Sequence, residues 1–194
     1  MGKEILHSHR LGVFQNKHGD SDRRTEHDLS YDPLIKKLAV GSIGGLLGTF
    51  AMALFGAGLL LSMGLPASLN FSFIGDAAAG FLSMLGIEMA GGVPLGMVVY
   101  ALTGLTLGLL FVVAVSNTDA LRVDSMKKGV GLSILYVEIV SQLLLAVAAL
   151  ILKLTAAEMA QWAGMALIMH FVYGSVLGAV VSYGLPATRA AKRA

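Results

Sequence analysis

Glu138, Gln142, His170 and Tyr173 are the side chains on which chemistry could rest, because each interrupts a long apolar run where a polar or ionisable group needs a reason. Glu138 and Gln142 are four residues apart, one above the other on a helix face. At ~1.5 Å per residue, Glu138 stands about 15 Å beyond Lys128 and His170 about 22 Å before Leu185. In antiparallel neighbouring helices Gln142 is then nearly level with His170, and Glu138 lies one turn nearer the cytoplasmic end. Such a ladder facing the bundle interior, with Tyr173 beside it, offers a carboxyl group and an imidazole that donates and accepts on opposite nitrogens. A proton relay or a small polar substrate would use both. The same groups could simply fasten two helices, or lend His170 to a cofactor, and the residues alone leave all three uses open.

Several chemistries are excluded. The chain has no cysteine, which removes disulfides, thiolate metal sites, iron–sulfur clusters and thiol catalysis. Haem held by two histidines needs a second membrane histidine, and only Met52 or Met169 could replace it. Nothing reads as a nucleophile elbow, a P-loop or a dinucleotide fingerprint. No catalytic residue, no cofactor and no enzyme activity are assigned, and with bases alternating with acids in the tail, no nucleic acid is expected to bind.

The elements that must position the ladder follow from composition. Of 194 residues 56% are hydrophobic and 13% charged, against about a quarter charged in soluble domains. The mean hydropathy is +0.76. Four apolar runs, 38–64, 93–116, 129–152 and 161–185, are each long enough to cross a hydrocarbon layer ~30 Å thick. The expected fold is an all-α bundle of four transmembrane helices in the lipid bilayer. Lys and Arg fall seven in the N-terminal tail, three in the 117–128 loop and three at the C-terminus, leaving only Lys153 for the other side. By the positive-inside rule both termini are cytoplasmic, as in a multi-pass protein of the cell membrane.

Glycine pairs punctuate the spans at the spacing that lets helix backbones approach closely: Gly41/Gly45, Gly44/Gly48, Gly104/Gly108 and Gly174/Gly178. Tyr100 precedes Gly104 by four residues as His170 precedes Gly174, which suggests two hairpins related by a parallel repeat. Between the first two spans, residues 65–92 carry no Lys or Arg, and an apolar spacing over about 72–89 reads as an amphipathic outer helix, interfacial or re-entrant.

Residues 1–37 form a charged tail holding four of the five histidines. His7-x-His9 is the nucleus of the one metal site this tail could offer, but without cysteine and with irregular spacing no metal is assigned. A docking arm for a cytoplasmic partner surface is the expectation. Residues 186–194 are a short basic terminus.

The glycine-rich first span, the outer segment and a last span reading His170-Phe-Val-Tyr-Gly-Ser-Val-Leu-Gly178 resemble small uncharacterised four-helix membrane proteins of the YagU type, over residues 38–185. The resemblance implies topology and no catalytic residues. Taken together, these features point to a non-catalytic accessory subunit of a larger, bioenergetic membrane complex, packed through its glycine faces against other subunits. The alternative is a small transporter or proton-conducting protein using Glu138, Gln142 and His170.

Overall fold

A computed structural model describes residues 33–185. The tail with His7 and His9 and the basic C-terminus therefore lie outside the described residues. Within them the chain is all-helical: α1 (Pro33–Ser62), α2 (Leu69–Met84), α3 (Gly92–Asn117), α4 (Met126–Ile151) and α5 (Ala156–Gly184), with one 3-10 turn at Asp119–Leu121. α1, α3, α4 and α5 are each long and apolar enough to cross a membrane. Their outward faces, with Phe50, Leu102, Leu143 and Leu150 more than half exposed, present to the surroundings what a soluble protein would bury.

Several boundaries differ from those read in the sequence, and local chemistry explains each. α1 starts at Pro33 rather than 38, because proline at the first helical position loses no hydrogen bond, so Lys36 and Lys37 are helical. α5 starts at Ala156 rather than 161. Thr155 accepts from the Glu158 amide, and the Glu158 carboxylate accepts from the Thr155 amide at 2.8 Å, a reciprocal capping box. α2 runs 69–84 instead of 72–89. Gly86, at φ +81°, closes it with the Ile87 amide bonded to the Leu82 carbonyl and its own to Ser83.

α4 ends with the same pair of bonds, but Lys153 takes the left-handed position at φ 54°. A side chain in that region strains the backbone where glycine does not. Lys153→Gly is accordingly expected to raise stability by about 1 kcal/mol, read as a higher melting temperature in detergent; an unchanged or lower value would show that the lysine is not strained there.

Packing depends on the glycines. A Cβ on Gly41 would stand 2.7 Å from the Gly108 carbonyl oxygen, and one on Gly45 would collide with the Gly104 carbonyl, so α1 and α3 meet backbone to backbone. Gly44 and Gly48, on the next face of α1, lie against Leu177 and Tyr173 of α5. In the second hairpin Gly174 and Gly178 lie against Ile134 and Val130 of α4, where Ser133 donates to the Gly174 carbonyl. α2 docks on α3 in the same way, Gly75 on Gly92 and Gly96 on Phe71, and the Gly92 amide donates to Asp76 at 2.7 Å. A core of Leu107, Phe111, Val112, Val137, Tyr173, Leu177 and Val181 fills the centre.

The second helices of the two hairpins, α3 and α5, correspond at a shift of seventy residues. Gly96, Gly104, Leu107, Gly108 and Phe111 of α3 are buried, and so are Ala166, Gly174, Leu177, Gly178 and Val181 of α5. Gly104 and Gly108 face α1 as Gly174 and Gly178 face α4.

Candidate functional site

The ladder residues do not all meet. Gln142 Nε2 donates to Glu138 Oε2 at 3.3 Å, and His170 Nδ1 lies 3.8 Å from the same oxygen, too far for a hydrogen bond. These three do come together. Tyr173 does not join them: its hydroxyl, on a side chain 1% exposed, donates to the Gly104 carbonyl at 2.6 Å across to α3. Nor do Glu138 and Gln142 face the interior. They line a shallow outer groove with Ile139, Ala163, Gly164 and Leu167. The cause is azimuth: α4 turns Val137 and Ser141 inward, and the next residue on a helix sits ~100° further round.

His170 is the hinge between that groove and a second space. Behind it, α1 to α5 line a cavity of about 390 Å³. Its wall is chiefly apolar, with Phe73, Leu107, Leu144, Ile151, Trp162 and Met169 among the contributors, and it carries no Asp, Glu, Lys or Arg. Asn70, Tyr100, Thr103, Ser141, His170 and Tyr173 supply the polar atoms. Counted from the helix ends near α2, Tyr100 and Ser141 lie ~12–15 Å deep and His170 ~21 Å, so the polar groups gather near mid-bundle. The apolar lobe extends from there toward α2, where Phe73 stacks on Trp162 with centroids 4.1 Å apart.

α2 makes this space. Its first turn is inserted among other helices: Leu69 packs on the Leu60, Met165 and Met169 cluster, and Phe71 meets the Tyr100 ring edge to face at 5.2 Å. From there α2 crosses toward α4, reaching Ile151 at Gly80. Where α2 nears α4, the lining residues Phe81, Leu144 and Val147 are each about half exposed, and there the cavity opens to the outside.

Three polar atoms at the cavity and the groove beside it lack partners. The Tyr100 hydroxyl is buried on a residue 8% exposed and makes no hydrogen bond; the Asn70 side chain is near it but outside bonding geometry. His170 Nδ1 is likewise unbonded, as is Glu138 Oε1. Tyr100 and His170 are the pair that correspond across the two hairpins, and both line the cavity. In the sequence Tyr100 stands out only as a repeat marker, and Asn70, Thr103 and Trp162 carry no signal of their own. The seventy-residue match to His170 was the signal that could have put Tyr100 in the site.

Among the described residues, no three His, Asp or Glu side chains converge as metal ligands would. Fold and site together define a multi-pass helical membrane protein with an open, mainly apolar internal cavity. Compared with protein-family models, curated proteins and solved structures, the chain matches none.

Proposed function

We propose that this protein is a non-catalytic membrane protein that binds a small apolar molecule inside its bundle and exchanges it with the lipid phase, as a carrier or transporter. The observation that carries this reading is the cavity. About 390 Å³ of largely apolar space with a few convergent polar groups has the size and lining of small-molecule sites, which run ~300–1,000 Å³. Its position between two corresponding hairpins is where transporters built from repeats keep their substrates. The distribution of Lys and Arg supports both termini being cytoplasmic.

Native mass spectrometry of the full chain released from mild detergent tests this. Wild type should carry apolar adducts that Ala148→Phe, which fills the cavity from α4, loses while keeping its melting temperature. A bare wild-type spectrum under conditions that preserve detergent or lipid adducts elsewhere on the chain would sink the proposal.

A second reading, an accessory subunit of a larger, bioenergetic complex, is favoured by the outer groove. There a polar pair, Glu138 and Gln142, sits beside the small residues Ala163 and Gly164, a combination that suits another transmembrane helix. Its other ground is weaker than the sequence suggested, since the glycine faces are occupied within the chain. Co-purification of a stoichiometric partner that Gly164→Leu releases would favour this reading.

A further inference from the structure

Resting on the cavity reading above, we propose that the cavity selects an uncharged amphiphile with a single hydroxyl or carbonyl head, seated against Tyr100 and His170 with its hydrocarbon body in the lobe beneath α2. Four observations lead there. First, the Tyr100 hydroxyl is buried in the cavity wall without a partner, and a buried polar group left unpaired is expensive unless something completes it. A hydroxyl can donate to it or accept from it, and a carbonyl can accept. Second, His170 turns Nδ1 toward Glu138, which leaves Nε2 on the ring edge away from that carboxylate. A neutral imidazole thus has one further position to offer the same head.

Third, the wall holds no fixed charge, and the polar groups lie near mid-bundle rather than at an end. A charged head drawn to that depth would be costly without a counter-ion. Phosphate, carboxylate and ammonium heads are therefore poor occupants of that depth, which leaves ordinary phospholipids only their chains to insert. Fourth, the space sets the size of the body. At ~30 Å³ per water-sized group it accommodates on the order of a dozen such groups, fewer than a diacyl lipid contains.

The chain carries its own reporter. Trp162 is the single tryptophan and lines the cavity, so a short-range heavy-atom quencher bound there should dim it. The full chain in nanodiscs of unbrominated phosphatidylcholine is titrated with 10-bromodecan-1-ol and with 1-bromodecane, compared at equal amounts in the lipid phase. Wild type should show saturable quenching by the alcohol, half-complete at about a tenth of the alkane level, as one hydrogen bond of ~1–1.5 kcal/mol provides. Tyr100→Phe should reduce that tenfold preference to about twofold or less.

If both compounds saturate at the same level, the assignment of a hydrogen-bonding head is overturned, and if Tyr100→Phe keeps the full preference, its seating against Tyr100 is overturned, while the apolar cavity site stands in either case. If neither compound gives more than a linear, non-saturating decrease, the cavity reading fails and this inference with it. The alcohol–alkane comparison on wild type is decisive even should the variant not fold. A decyl phosphate competitor should fail to reverse the quenching, and reversal by it at the level of unlabelled decanol would overturn the exclusion of charged heads.

Discussion

Gly108→Leu and Gly45→Leu should each strongly destabilise the folded bundle, while Gly58→Leu and Gly131→Leu leave it nearly as stable as wild type. All four introduce the same side chain into a membrane helix, so the difference is one of surroundings. A Cβ on Gly108 would stand 2.7 Å from Gly45 Cα and 2.9 Å from its nitrogen, and one on Gly45 would run into the Gly104 carbonyl. Those obstacles are backbone, which cannot rotate away as a side chain can. Overpacking a core that can yield costs ~1–3 kcal/mol, and forcing two helix backbones apart should reach or exceed the upper end of that range. Against a total stability of ~5–15 kcal/mol this is a large fraction. Gly58 and Gly131 have nothing within 4 Å of the added atom. Thermal unfolding of the detergent-solubilised chain, with size-exclusion chromatography, provides the measurement. If Gly108→Leu melted with wild type, α1 and α3 could not be in contact along the Gly41/Gly45 and Gly104/Gly108 faces.

The second large effect is a difference in sign between two tyrosines. Tyr173→Phe removes a hydroxyl that donates to the Gly104 carbonyl at 2.6 Å in the most buried part of the core, and should lower stability by about 1–1.5 kcal/mol. Tyr100→Phe removes a buried hydroxyl that has no partner in the ligand-free protein. Leaving such a group unpaired costs ~1–3 kcal/mol, so its removal should stabilise the empty protein by part of that amount. Melting temperatures taken in the same detergent, after extraction of bound lipids, should therefore move in opposite directions. Two decreases of similar size would mean that Tyr100 has a structural partner and is not held open for a ligand.

How much could be read in advance varies with the kind of information. The spans were legible because crossing a bilayer requires a long apolar run, and a run is a one-dimensional property. The glycine pairs were legible for the same reason, but not their partners. Gly41/Gly45 and Gly44/Gly48 turned out to serve two different helices of the same chain, which undercuts the expectation that they await other subunits. The start of α5 is legible too, since Thr155-Ala-Ala-Glu158 is a capping-box sequence, although the apolar run by itself begins five residues later.

The ladder shows where one-dimensional reading ends. Counting residues fixed depth well enough to put Glu138 and Gln142 near His170. Depth says nothing of azimuth, and a single step along α4 separates the cavity-facing Ser141 from the groove-facing Gln142. The cavity itself was illegible, because an empty volume is what remains when helices fail to fill the space between them. It depends on how α2 crosses from Tyr100 to Ile151, which no spacing records.

The half-exposed side chains at the mouth, Phe81, Leu144 and Val147, set the currency in which any affinity must be expressed. An occupant arriving through that mouth diffuses in two dimensions and never crosses water, so an aqueous dissociation constant would mostly report partitioning, which changes by ~0.8 kcal/mol per methylene whatever the protein does. On the carrier reading proposed above, the quantity the protein controls is the mole fraction of ligand among lipids at half occupancy. Bilayer chains, present in vast excess, are then the standing competitors, and the one advantage a true ligand holds over them is the bond its head makes at mid-depth.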